Sequence, residues 1–162
     1  MSQIEVREYK LGDQKEIISM ILQIQQDEYH LPITIENQPD LLEIEHFYQS
    51  RGEFWVALDE NRVVGTVGIL DIGDGNAVLR KMFVKKEYRG GSFGVAPMLL
   101  GQLLNWAAQS HFHRIYLGTT PQFLAAHRFY EKHGFIEIRE DELPAAFPVM
   151  AVDKKFYRYD IA

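Results

Sequence analysis

The chain contains no cysteine. It can therefore form no disulfide, no thiolate metal site and no covalent thioester intermediate of its own. No apolar run approaches the ~18 residues that a membrane-spanning helix needs, so no membrane partner is expected. Basic residues are in the minority: 17 Lys and Arg stand against 23 Asp and Glu, a formal charge of −6. That balance argues against nucleic acid as a partner, because broad affinity for it needs a basic surface. None of the six histidines has the His-Glu-x-x-His spacing of a helical zinc site. His111 and His113 sit at a helix-to-strand junction, and His127 and His133 lie off one face of a helix, so no metal is expected. Met1 to Asp13 is polar and charged, without the apolar segment of a secretory signal, and the expected compartment is cytoplasmic.

What is present suits one globular domain over residues 1–162. Apolar residues make up 46% and charged residues 25%, and a chain of this length buries roughly 68–70% of its unfolded surface. Ile4 and Val6 alternate with Glu5 and Arg7 as in a short strand. Asp13 and Glu16 have capping-box spacing ahead of an apolar helical stripe, Ile17, Ile18, Ile21 and Ile24. Glu28 to Gln38 reads as a loop, and Pro39 opens a helix carrying Leu41, Ile44, Phe47 and Tyr48 to its end at Gly52. Phe54–Leu58, Val63–Ile72 and Ala77–Val84 are strands joined by short turns, which forces an antiparallel meander. A leucine-rich helix follows, with Ala96, Leu99, Leu100, Leu103, Leu104 and Ala107 at helical spacing. Arg114–Thr119 is the next strand, and the long crossover before it implies parallel pairing. A second helix carries Phe123, Ala126, Phe129 and Tyr130 and closes at Gly134. Phe135–Arg139 and Met150–Tyr159 complete an α+β fold: one mixed, mainly antiparallel sheet with helices on both faces.

The most informative stretch is Val84 to Ala96, where a strand ends, the chain turns through glycines beside an arginine, and a helix begins. Such a turn aims backbone N–H groups and the positive helix end at one point, which suits a phosphate. Arg80, Lys81, Lys85, Lys86 and Arg89 form a local basic cluster around it, read here as phosphate contacts. A Walker A loop is absent, and the dinucleotide fingerprint fails because Arg89 stands where its first glycine would fall.

The pattern Arg89-Gly90-Gly91-Ser92-Phe93-Gly94 resembles the pyrophosphate loop of the GNAT superfamily of acyl-CoA-dependent N-acetyltransferases, which reads Gln/Arg-x-x-Gly-x-Gly/Ala. Ser92 takes the penultimate glycine position. Ala126-His127-Arg128-Phe129-Tyr130-Glu131-Lys132-His133-Gly134-Phe135 is similar to that family's Ala-x-x-Phe/Leu-Tyr-Glu-Lys-x-Gly-Phe signature. The two motifs occur in the family's order, and Phe54 to Phe135 carries the specific match. Phe123 departs from the pattern, standing where relatives often have Asn.

The resemblance implies acetyl-CoA as co-substrate and transfer of its acetyl group to a primary amine by direct attack in a ternary complex. Met82, Phe83, Val84, Arg89, Gly90, Gly91, Ser92, Phe93, Gly94, Val95, Ala96 and Phe123 are the implied cofactor-binding residues. The backbone N–H of Phe83 or Val84 is the implied oxyanion donor, and Tyr130 the general acid, because a phenol with a pKa near ~10 stays protonated at neutral pH. Asp71, Glu28 or an ordered water relay would supply the base. The acceptor, a small-molecule or peptide amine, would lie between the Glu28–Gln38 and Glu140–Val149 segments. Their Tyr29, His30, Asp141, Glu142 and Phe147 suit a cationic amine. Homodimerisation is left open. A CoA-binding sensor or partner subunit without turnover stands as the alternative, and a nucleotide-binding phosphotransferase as a third reading that the missing P-loop lysine disfavours.

Overall fold

The computed structural model describes residues 3–161. Seven strands lie in the hydrogen-bonded order β1-β2-β3-β4-β5-β7-β6, with four α-helices among the described residues. β1 (Ile4–Glu8) pairs antiparallel with β2 (Gly52–Asp59), from Ile4 opposite Asp59 to Glu8 opposite Trp55. β2 turns into β3 (Arg62–Gly73) through Glu60 and Asn61, and β3 into β4 (Asn76–Val84) through Asp74 and Gly75. These four residues have φ of 49, 68, 58 and 76°, the left-handed geometry whose twist matches a tight hairpin. The helix Val95–Gln109 then leads to β5 (Arg114–Thr119), which pairs parallel with β4 at Asn76–Arg114, Ala77–Ile115 and Val78–Tyr116. β7 (Lys155–Asp160) lies between β5 and β6 (Ile136–Ile138), antiparallel to both.

The chain forms two compact units, and β3 and β4 contribute to both. The first holds β1, β2, β3 to Ile69, β4 from Arg80, and the helices α1 (Gln14–Leu22), α2 (Ile44–Tyr48) and α3 (Val95–Gln109) as far as Trp106. Its core is Ile17, Ile21, Leu41, Ile44, Tyr48, Phe54, Leu99 and Leu103, all essentially inaccessible. Gly68 makes room for this packing: a Cβ there would lie 2.8 Å from Phe54 Cδ2 and 3.0 Å from Tyr48 Cε1. The second unit holds Leu70–Leu79 and the chain from Ala107 on, including α4 (Leu124–Lys132). Val78, Tyr116, Phe147 and Phe156 form its apolar cluster, with Ile72, Ile138 and Leu143 packed against them. Among the described residues no helix is long and apolar enough to cross a membrane.

Four local expectations change. Asp13 and Glu16 do not share a capping box: Asp13 accepts from the Arg7 guanidinium at 2.8 and 3.0 Å and from the Lys10 N–H at 2.9 Å. Glu16 instead accepts from Arg62 and the Val63 N–H, each at 3.2 Å. The first helix does not stop near Ile24 but widens into π-helical turns over Gln23–Glu28, so Glu28 ends a helix rather than opening a loop. Pro39 starts only a 3-10 stretch, Pro39–Leu42, and the chain bends at Glu43 before α2. The last strand begins at Lys155, not Met150, because Asp153 accepts the Met150 N–H at 3.3 Å and closes a turn.

Candidate active site

The glycine turn is anchored before it opens. The Lys85 N–H donates to Val64 O at 2.9 Å, and one 3-10 turn, Lys86–Tyr88, follows. The Tyr88 hydroxyl donates to Asp59 Oδ2 at 2.5 Å, and its ring packs on Phe93 with centroids 4.9 Å apart. Gly90 and Gly94 have φ of 98 and 66°, where a side chain would be strained. A Cβ built at Gly90, Gly91 or Gly94 meets no atom within 4 Å, so the main chain of the turn is open to a ligand. Gly94 O accepts the Met98 N–H at 3.1 Å. Gly94 therefore caps the 15-residue helix α3, and Ser92 lies in the turn ahead of it. At Gly65 a Cβ would lie 3.0 Å from both Val95 Cγ1 and Leu99 Cδ1 and 3.2 Å from Phe83 O. The absent side chain lets the first turn of α3 sit close to β3, beside the end of β4. An open turn of amides leading into a helix N-terminus fits a diphosphate.

Arg89 does not point out of this turn. Its Nε donates to Val84 O at 2.8 Å, Nη2 donates to Glu28 Oε1 at 2.8 Å, and Nη1 pairs with Glu28 Oε2. The guanidinium also lies over the Tyr29 ring, 5.9 Å from its centroid. Glu28 is thus tied to the arginine of the glycine turn. The basic cluster divides accordingly: Arg89 faces Glu28, while Arg80 and Lys81 turn toward Asp40, at 4.0 and 3.7 Å.

Lys81, expected with the rest of the basic cluster to contact phosphate, instead turns its ammonium inward and is the least ordinary residue of β4. It is buried and has φ of 56° in mid-strand. Its Nζ donates to Gln38 Oε1 at 2.7 Å, and its carbonyl accepts the Thr66 hydroxyl at 2.7 Å. Gln38 and Gln25 exchange side-chain hydrogen bonds of 2.8 and 3.0 Å, and Tyr48 Oη donates to Asp40 Oδ2 at 2.5 Å. The readable signal was two successive charges, Arg80-Lys81, inside an otherwise apolar strand. Met82 and Phe83, just beyond, are half-buried, and Val84 is buried.

Tyr130 is buried on α4, its ring 5.5 Å from Phe135 and 5.9 Å from Tyr157 between centroids. That burial pushes its phenol well above the usual value. Phe123 precedes α4 rather than lying in it, and its carbonyl accepts the His127 N–H at 3.1 Å. Asp71 is exposed and accepts the Gly73 N–H at 2.8 Å. Three of the expected acceptor residues serve their own fold. Asp141 pairs with Arg139 at 3.0 Å, Glu142 accepts the Arg139 N–H at 2.7 Å, and Phe147 packs edge-on to Phe156. Among the described residues, no three His, Asp or Glu side chains come together as metal ligands.

The model of the acetyltransferase (GNAT) family matches residues 18–135. An acetyltransferase of the GNAT family from Staphylococcus aureus Mu50 superposes with a TM-score of 0.94 at 36% identity, over 98% of this chain and 99% of that one. An acetyltransferase from Streptococcus agalactiae 2603 gives 0.93 at 34% identity, over 98% of each chain. The N-acetylaspartate synthetase of Xenopus tropicalis is 41% identical over 99 residues, 59% of this chain and 36% of its own length. The chain thus spans about a third of the length of the curated relatives it matches first, 36% and 37%.

Proposed function

The chain belongs to the acetyltransferase (GNAT) family, and from that we propose that it moves an acetyl group from acetyl-CoA to a primary amine by direct attack, with both substrates bound together. The observation that carries this reading is the open glycine turn, left-handed at Gly90 and Gly94, running into the N-terminus of α3. It supplies main-chain donors and a positive helix end where the coenzyme's diphosphate needs them. Met82 to Val84 would pair along the coenzyme's amides as a neighbouring strand does. The Phe83 or Val84 N–H would donate to the carbonyl oxygen as negative charge develops on it. Gly91, Ser92, Phe93, Val95 and Ala96 complete the cradle, and Arg89, held by Glu28, braces its base.

The reaction forms a C–N bond and breaks the thioester C–S bond; the amine gives up a proton and the sulfur gains one. Tyr130 is our general acid. Its raised pKa keeps the phenol protonated throughout the neutral range. The same shift makes it a weak acid: even from ~10, transfer to a thiolate near ~8.5 is uphill by about 2 kcal/mol. Tyr130 therefore acts by hydrogen-bonding the sulfur, its proton moving only as the C–S bond breaks. Asp71, Glu28 or a water relay takes the amine's proton, and Asp71, exposed and held only by its own turn, is the carboxylate with the freer hand.

For the acceptor we propose the amine of a small amino acid. The frog relative is named for making N-acetylaspartate, and the acidic groups that suggested a cationic acceptor, Asp141 and Glu142, already bind Arg139. Calorimetry with CoA and with ATP, followed by thiol release from acetyl-CoA over aspartate, glutamate, polyamines, aminoglycosides and peptide N-termini, tests each step. CoA binding and turnover with an amino acid are expected. Binding of ATP but not CoA overturns the reading, and CoA binding without turnover on any amine leaves only a sensor.

A further inference from the structure

Lys81 sits in a conformation that a lysine avoids. At φ 56° an L-residue in the left-handed region costs roughly 1–2 kcal/mol, and such strain persists only where the surroundings over-determine it. Here they do. The ammonium is sunk into the first unit, 2.7 Å from Gln38 Oε1 and 3.7 Å from Asp40 Oδ2. The same residue's carbonyl is held from the other side by the buried Thr66 hydroxyl at 2.7 Å. Gln38 is fixed in turn by Gln25 in the π-helical segment and by Thr34 O, at 3.3 Å. A left-handed residue in a strand resets the directions of the amides after it, and those amides belong to Met82, Phe83 and Val84.

We propose that Lys81 is a positioning residue for acyl transfer: its tethered side chain holds β4 in a left-handed kink that aims the Phe83 or Val84 N–H at the thioester carbonyl. The inference rests on the acetyltransferase reading and adds to it the device that sets its oxyanion donor. It also connects the segment before α2, through Gln38, to the strand that polarises the acyl group. A few tenths of an ångström matter here, because a hydrogen bond weakens steeply once its angle falls toward ~120°.

The test is isotope-edited infrared of acetyl-CoA carrying a 13C carbonyl, bound to the full chain, with calorimetry on the same samples. In the wild type the carbonyl stretch is expected to fall below its value in water. In Lys81→Met, CoA should bind within about threefold of wild type while the stretch returns at least halfway to its free position. kcat should drop about tenfold or more at an acetyl-CoA KM within twofold, a smaller loss than removing an oxyanion donor outright. Thr66→Val, which removes only the hydroxyl on the Lys81 carbonyl, should move both readouts the same way by less, and it serves if Lys81→Met does not fold. An unshifted wild-type carbonyl, a variant with the wild-type stretch, or equal loss of CoA affinity and kcat at an unshifted stretch each overturns the proposal. If the wild type binds no CoA at all, the acetyltransferase reading fails first and takes this one with it.

Discussion

Glu28 and Arg89 are 61 residues apart in sequence and meet through both terminal guanidinium nitrogens. Their side chains are 17% and 30% exposed, so the pair is neither a solvated ion pair nor a sealed one, and about 1 kcal/mol is its scale. Because Arg89 also grips Val84 O, Glu28→Gln should loosen the base of the glycine turn. The acetyl-CoA KM should rise about fivefold with kcat within about threefold. A hundredfold fall in kcat at unchanged KM would instead make Glu28 the base, and steady-state kinetics read the difference directly. Tyr130→Phe should do the opposite: CoA affinity by calorimetry stays put while kcat falls about 10²-fold or more. Unchanged turnover removes Tyr130 from the mechanism. Tyr130 and the glycines stood out in the sequence because each sits in a motif whose residue types resemble the family's. Lys81 did not, since a lysine gives no hint of left-handed backbone and its partners, Gln38 and Thr66, lie on other elements.

At the scale of elements, glycines decide how closely the helices of the first unit lie on its strands. Gly68 faces Tyr48 of α2 and Phe54 of β2, whose rings sit 5.1 Å apart between centroids, and both side chains are fully buried. Gly68→Ala should therefore cost about 1–3 kcal/mol, the usual range for overpacking, and lower the melting temperature without altering the fold by circular dichroism. A variant as stable as the wild type would mean that α2 shifts freely, contrary to its packing. The strands were readable from alternation and from turns too short to allow anything but hairpins, and the crossover through α3 made the β4–β5 pairing parallel. The helix ends were not. Gln23–Glu28 contains no breaker, so nothing local shows whether it coils or continues, and the decision falls to Gln25 and Glu28 finding Gln38 and Arg89. The bend at Glu43 and the turn held by Asp153 are likewise set by side-chain partners that periodicity does not register.

For the whole molecule the consequential titrations are alkaline. Tyr48, Tyr130 and Tyr157 are buried, and in each case burial is the largest cause of a phenol pKa raised above its ordinary value, with the Glu131 carboxylate adding to it at Tyr157. Unfolded, these phenols ionise near ~10; folded, they hold their protons well beyond that. Above that pH the unfolded chain binds fewer protons than the native one, so stability falls as pH rises. Below ~10 both states are protonated and the contribution is fully present. Each such phenol steepens the loss by about 1.4 kcal/mol per pH unit between its unfolded and folded values. Melting temperatures should thus be flat from about pH 8 to 9.5 and fall steeply beyond. Tyrosinate absorbance at 295 nm from these three rings should arrive only with the loss of near-ultraviolet circular dichroism. Tyr130→Phe should remove one proton's worth of the alkaline slope and leave the plateau's shape alone. If all eight tyrosines titrate together near ~10 while the protein stays folded, these rings are open to water. Tyr130 would then be an ordinary surface phenol, and the case for a sulfur-facing proton held in reserve at neutral pH would lose its physical basis.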